Sequence, residues 1–498
     1  MSRATISTSA EFGETKGSTP RIGQVPMKVA VVGDFSARES RDLRDSDSIA
    51  NRPAIRVNKD TFHRALEAMS IRVRLPFVAK DIAIMDYDDL HPDYLYSRVP
   101  LFKEFIDLEK KLSTPEYFEA AANEIQQLST FKNEQASQVT ANSEASSMLD
   151  AILAGNNYQA TYRKSISGQI DQLIKDIVAP YVAAKTDPRQ DKMLEAVNSA
   201  SSETMRKLMH NSAFQQLEAS WRSLHLITKR LDSHPQISID IFDISKPELL
   251  DDLAKAGDEL ENAQIFKRLI SSQTTAGDIP YNVIVGDFYI EDAESDLALL
   301  IDMATMAEAA NSVFIAGGDC KLAGCPTLAG SADPDDWYYK LGDEFKSAWQ
   351  AVREYSGSAH VSLISPKFLL RLPYGKNTST TDCFDFEELS ENNGHKYYLW
   401  GNSAYLMLLK LCENYAKQGM NIDPSRLGGV DSLPLHVYQQ HGSRHIKPCA
   451  EAMLNDAGAK CFLDAGLSVL RSIQQSDSVE LQVKSLHESG ALKGPWCE

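Results

Sequence analysis

The chain has 498 residues, a formal net charge of −18, 43% hydrophobic and 24% charged residues. A chain of this length holds two or three domains with sizeable cores, and its acidity excludes nucleic acid as the main partner, because phosphate binding needs a basic face. No stretch approaches the ~18 uninterrupted apolar residues of a membrane span, and the cysteines at 320, 325, 383, 412, 449, 461 and 497 are odd in number and irregular in spacing, which suits a reducing cytoplasm rather than a disulfide framework.

In chain order, Met1 to Pro26 is rich in Ser, Thr and Gly and reads as a disordered arm, not a secretory signal. Lys28-Val-Ala-Val-Val-Gly-Asp-Phe35 is the first apolar strand, closed by a Gly33-Asp34 turn. The charged run from Ala37 to Ala54 reads as an exposed loop. Asn58 to Met69 spaces Phe62, Leu66 and Met69 as an amphipathic helix, and Ile71-Arg-Val-Arg-Leu75 alternates as a half-buried strand. Leu95 to about Ile125 is helical, with Leu101, Phe105, Leu108 and Leu112 on one face. Residues 129–147 are polar and poor in large apolar groups, and mark the clearest domain junction. Helices resume at Met148–Ala154, at Ile166–Ala184 and from Lys192 onward.

Residues 213–231 carry the clearest helix: Phe214, Leu217, Trp221, Leu224, Thr228 and Leu231 repeat as one stripe of a core helix. From Ile237 to Ile364 the pattern alternates strand and helix, which predicts an open α/β sheet with right-handed crossovers. Within it, Tyr281-Asn-Val-Ile-Val-Gly-Asp-Phe288 repeats the Val-Gly-Asp-Phe ending, placing a second turn at Gly286-Asp287. A helix from Asp335 aligns Trp337, Leu341, Phe345, Trp349 and Val352. A helix at 402–418 and an extended Leu433–Tyr438 follow.

Candidate chemistry is sparse. Asp34 and Asp287 follow buried strands, where α/β enzymes often keep catalytic or metal-binding groups. Neither has a partner acid or a glycine-rich phosphate loop nearby, so each is expected to tie down its own turn. Gly375-Lys376 fails as a phosphate loop, since Leu370 and Asn377 occupy the positions that need Gly and Ser/Thr. His436, His441, His445 and Cys449 are the one metal-like cluster; the last three lie four apart and would align on a helix face as zinc ligands. Gly442 and Pro448 interrupt that run, and a surface loop with scattered histidines is the simpler reading. A metal-dependent hydrolase built on these four residues stands as the alternative from another functional class. No cofactor and no catalytic residue is assigned.

Several longer stretches in order carry a resemblance. Phe214-Gln-Gln-Leu-Glu-Ala-Ser-Trp-Arg-Ser-Leu224, Asp243-Ile-Ser-Lys-Pro-Glu-Leu-Leu-Asp-Asp252, Tyr281 to Ala316, Phe368-Leu-Leu-Arg-Leu-Pro-Tyr374, Phe384-Asp-Phe-Glu-Glu388, Tyr398-Leu-Trp-Gly-Asn402 and Leu433-Pro-Leu-His436 resemble the large subunit of the type VI secretion contractile sheath. Val31-Val-Gly-Asp-Phe-Ser36, Ile55-Arg-Val-Asn-Lys-Asp-Thr-Phe62 and Arg72-Val-Arg-Leu-Pro76 are similar to its small subunit. The chain therefore resembles a small and a large sheath subunit fused through 129–147. The resemblance implies an α/β fold, α+β in part, with mixed β-sheets flanked by helices. Its divisions are an arm at 1–26, a small-subunit-like domain at 27–128, the linker, a helical connector at 148–212, a large-subunit-like core at 213–365, and a second large-subunit-like domain at 366–498 that is short at its C-terminus. Ser223 stands where a Gly is usual.

For function, the resemblance implies a non-enzymatic, cytoplasmic assembly protein of a bacterial sheath that wraps an inner tube and contracts to propel it. The partners it implies are other sheath protomers, the hexameric inner-tube protein, baseplate proteins and an AAA+ recycling ATPase, with no nucleic acid and no membrane insertion. A sheath-like cap, initiator or regulator that does not itself polymerise is the second reading within the same class.

Overall fold

The computed structural model describes residues 25–114, 117–122, 188–231, 234–271, 280–389, 394–440 and 442–497. The linker at 129–147, the helical stretches expected at 148–154 and 166–184, and nearly all of the arm expected at 1–26 lie outside the described residues. The strands are β1 (Met27–Gly33), β2 (Ile55–Val57), β3 (Arg72–Val73), β4 (Ile82–Ala83), β5 (Ile237–Asp243), β6 (Val283–Ile290) and β7 (Val313–Gly318), then β8 (Val361–Ser365), β9 (Phe368–Leu369), β10 (Trp400–Gly401), β11 (His436–Gln440), β12 (Ser443–Lys447), β13 (Ser468–Ser472) and β14 (Val479–Gln482). The helices are α1 (Phe62–Ala68), α2 (Pro92–Arg98), α3 (Lys103–Ser113), α4 (Pro188–Met209) and α5 (Ser212–Arg230), then α6 (Lys246–Ala256), α7 (Glu294–Ala309), α8 (Asp343–Glu354), α9 (Ala404–Gln418) and α10 (Asp456–Asp464).

One eight-stranded sheet organises the chain, in the order β14-β13-β8-β7-β6-β1-β5-β2. The inner strands from β13 to β5 run parallel, and an antiparallel strand closes each edge. Parallel strands covered on both faces read as continuous apolar runs; every residue of β1 is buried. Side chains alternate between two cores: Val29 and Val31 join one, Ala30 and Val32 the other. The first core packs residues of α1, α3, α4, α5 and α9 on one face, and the second packs α6, α7, α8 and α10 on the other.

The position of β1 differs from the sequence expectation of two adjacent scaffold domains. β1 lies inside the large-subunit-like sheet, parallel to β5 on one side and to β6 on the other. β2 extends the same sheet beyond β5. The segment 27–57 therefore contributes a central strand and an edge strand to a sheet whose other members come from 237–482.

Local chemistry sets the elements around this joint. At α6, Ser245 and Glu248 form a capping box and Pro247 occupies the first turn, so the helix start is fixed three ways. At α5, the Asn211 side chain accepts from Ala213 N at 3.0 Å. The helix expected from Asp335 begins later, at Asp343, after a short turn at Pro334–Asp336. It still buries Trp349 and Val352.

Candidate functional site

The two Val-Gly-Asp-Phe stretches lie side by side, offset by one residue. Val32 pairs with Gly286, which sets Gly33 beside Asp287. A Cβ on Gly33 would stand 2.8 Å from Asp287 Cβ, so the close approach of the strands requires glycine there. A one-residue slip moves a side chain to the other face of a sheet, and the two aspartates accordingly have different surroundings. The Asp34 carboxylate accepts from Arg38 N at 2.6 Å and Glu39 N at 2.9 Å. Burial pushes its acid up to about 6, with the nearby Asp243 adding to the rise.

Asp287 departs from the turn role expected of it. β6 runs on to Ile290 through an irregularity between Gly286 and Tyr289, so Gly286 and Asp287 lie within the strand. The Asn402 side chain satisfies that bulge, donating to Gly286 O at 3.2 Å and Phe288 O at 3.1 Å. Asp287 sits near the hydroxyls of Ser220 on α5 and Tyr405 on α9, and burial pushes its acid up to about 6. The aspartates do not form a pair; a catalytic dyad would need them to share one site.

Two arginine–glutamate networks flank the joint. In the first, Glu248 on α6 is fully buried and held by two arginines from the 37–54 run. Arg38 binds it through Nε at 2.9 Å and Nη2 at 2.8 Å, and Arg52 through Nη1 at 3.0 Å and Nη2 at 2.7 Å. Burial works to raise the Glu248 acid, but its hydrogen bonds to Arg38 and Arg52 hold it well below the usual carboxylate range. Asp243, at the end of β5, accepts from Ser36 N at 2.9 Å and Ser36 Oγ at 2.7 Å. The run expected to be an exposed loop instead holds short helical turns at Glu39–Arg41 and Ser46–Asn51, with Arg38 and Arg52 turned inward onto Glu248 while residues 42–45 remain exposed.

The second network centres on Arg371. Its Nε donates to Glu218 at 2.7 Å and its Nη1 to Glu388 at 2.6 Å, with further bonds from Nη2 to both carboxylates. Arg222 joins through Glu218 at 2.7 Å and reaches the hydroxyls of Tyr87 at 3.1 Å and Tyr374 at 3.0 Å. Burial opposes the Glu388 charge, yet Arg371, with help from His210, brings the acid down to about 2. Two guanidinium groups face two carboxylates, so the cluster is charge-balanced and leaves no free charge to recruit an ion.

Phe214, Leu217, Trp221 and Leu224 are buried, and Trp221 Nε1 donates to Phe35 O at 2.9 Å, directly after the first Val-Gly-Asp-Phe turn. Three of the four metal candidates, His436, His445 and Cys449, fall among the described residues and have different partners. His436–Gln440 and Ser443–Lys447 are antiparallel strands, so His445 lies on a strand and not on a helix face. His436 is buried with Nδ1 2.7 Å from Tyr398 Oη, His445 stacks on Tyr438, and Cys449 Sγ faces Leu433 O and Ser476 O. His441 lies outside the described residues.

Sequence reasoning missed the roles of Arg38, Arg52, Glu248, Arg371 and Glu388. One signal was present: Ser245-Lys-Pro-Glu248 has the capping-box pattern, which ties a glutamate to the backbone at a helix start.

Two family models match the chain over consecutive stretches. Residues 191–485 match the VipB model, described as "EvpB/VC_A0108, tail sheath N-terminal domain". The chain belongs to this tail sheath family. Residues 9–151 match the model "Type VI secretion system, VipA, VC_A0107 or Hcp2", so this sheath-family chain is a fused VipA–VipB arrangement. It is also 31% identical over 275 residues to the type VI secretion system sheath protein TssC1 of Pseudomonas aeruginosa. That match covers 53% of this chain and 55% of the relative, so the chain spans about half the length of the curated relative it matches. No described helix is long and apolar enough to cross a membrane.

Proposed function

We propose that the chain is a structural component of the contractile sheath of a type VI secretion system, with small and large sheath halves in one polypeptide. The observation that carries this reading is β1 of the VipA-like half seated between β5 and β6 of the VipB-like half. A single chain then supplies the small–large unit from which a sheath is built. Sheath protomers of the same kind, the inner-tube hexamer, baseplate proteins and a recycling ATPase are its proposed partners, in the bacterial cytoplasm. Nothing in this role needs a catalytic residue; the Glu248 network ties the two halves together and the Arg371 network braces the VipB-like half under load.

Negative-stain microscopy of the purified protein, alone and with separate sheath subunits and inner-tube protein, tests the role. Hollow tubes containing the protein are the expected result. Discrete particles that never enter a tube would overturn the sheath-wall role and leave the cap, initiator or regulator in its place.

A further inference from the structure

The hairpin of β11 and β12 ends at Lys447, whose side chain turns back onto segment 395–400 rather than into solvent. Its Nζ lies 2.7 Å from His395 Nδ1 and over the rings of Tyr398 and Trp400, at 5.7 Å and 5.4 Å from their centroids. An ammonium only donates, so Nδ1 of His395 is the acceptor and its proton sits on Nε2. Nε2 lies 2.9 Å from Glu451 Oε1 and donates to it. Glu451 is itself fixed, with Lys367 N donating to its other oxygen at 3.4 Å and its own N–H donating to Lys367 O at 2.8 Å. The His395 backbone is held by Trp400 Nε1, which donates to His395 O at 2.9 Å, and the two ring centroids lie 5.1 Å apart.

An amine, a histidine with its basic nitrogen turned towards it, and a carboxylate that fixes the histidine tautomer form a nucleophile–base–orienter series. Lys447 and His395 are both partly exposed, which places the site at the protein surface. We propose that Lys447 is a modification site at which the amine, with His395 as base and Glu451 as the group positioning that base, takes an acyl group from a small acyl phosphate. The Nζ lone pair attacks the carbonyl carbon and a C–N bond forms. The C–O bond to phosphate breaks, inorganic phosphate leaves with the bonding pair, and the Nζ proton passes to His395 Nδ1 and on to solvent or phosphate.

Burial lowers the amine to about 8 against the opposing pull of Glu451, which raises the share of free amine near neutrality. The titratable or charged groups around it are His395, Glu451, Tyr398, His436 and Lys367. Acylation removes the positive charge, and with it the attraction to the Tyr398 and Trp400 rings that pins the hairpin base.

The test uses the full-length protein, acetyl phosphate as the probe, and peptide mass spectrometry to follow each lysine. Lys396, exposed and adjacent to His395 in sequence, is the internal reference. Lys447 is expected to acylate at least about tenfold faster than Lys396 near neutral pH, with its rate rising through a midpoint near 8. His395→Gln is expected to slow Lys447 about tenfold and leave Lys396 unchanged. Equal rates at Lys447 and Lys396, or an unchanged Lys447 rate in His395→Gln, would overturn the site. If His395→Gln does not fold, Glu451→Gln and the wild-type pH profile decide by the same criteria.

Discussion

The two arginine–glutamate networks are built with opposite centres. At Glu248, one buried carboxylate is gripped by two arginines, both supplied by the VipA-like half. At Arg371, one guanidinium is gripped by two buried carboxylates, and every ion-pair partner belongs to the VipB-like half. From the VipA-like half, the Tyr87 hydroxyl bonds Arg222 and the His91 ring packs edge-on against Tyr374. The first network is therefore a joint between halves, and the second is a brace inside one half that touches the other. Each centre is dearly desolvated, so the damage on removing it depends on whether the groups left behind can find water.

The largest effect is expected at the brace. Arg371→Met leaves the buried Glu218 with Arg222 alone and the buried Glu388 with no guanidinium, and should destabilise the fold by about 3–5 kcal/mol in urea unfolding. A loss below about 1 kcal/mol would mean that both carboxylates rehydrate, and the brace would then be no tighter than a surface pair. Glu248→Gln is expected to cost less, about 3 kcal/mol, because the arginines it releases can turn outward. Its distinctive consequence is weakened association of the two halves, which Arg371→Met should show less. Equal weakening by both substitutions would erase the distinction between joint and brace.

Gly33→Ala acts between the networks. The new Cβ meets Asp287 at 2.8 Å, and the β1–β6 pair must part to admit it. A loss of about 2 kcal/mol in thermal or urea unfolding is expected from this overpacking. Asp287→Asn should cost less than about 1 kcal/mol at neutral pH, since the amide keeps the shape of the acid. Its pH dependence is the sharper test. The Asp287 acid is raised from 3.8 to about 6, so its stabilising contribution is full below 3.8 and is lost as pH rises through about 6. Stability of Asp287→Asn relative to wild type should therefore improve from pH 4 to pH 7. A difference that stays flat over that interval would show that the carboxylate is already hydrated.

Much of the sheet was legible in the sequence because its strands are short apolar runs separated by amphipathic helices. β5, α6, β6, α7, β7 and β8 follow in the order that the 237–364 pattern predicts. The insertion of β1 between β5 and β6 was not legible, because the pairing of distant parallel strands leaves no mark on local hydropathy. Gly33 offers the nearest hint, since a glycine inside a strand marks close backbone approach. The 37–54 run was misread because charge normally signals solvent, whereas Arg38 and Arg52 are drawn in by a partner about 200 residues away, and sequence spacing carries no record of that pairing. The histidine cluster was ambiguous for another reason. A spacing of four residues places side chains on one face of a helix and equally on one face of a strand, and Gly442, with φ of 76°, marks the hairpin turn that decides between them.

The central claim is that the VipA-like and VipB-like halves fold as one unit around a shared sheet. The direct test places a protease site between residues 123 and 187, cuts the folded protein there, and follows both fragments by gel filtration without denaturant. Coelution of the two fragments as one species, with β1 amides protected from hydrogen exchange as strongly as those of β6, is the expected result. Separation of the fragments, with rapid exchange along Met27–Gly33, would contradict it.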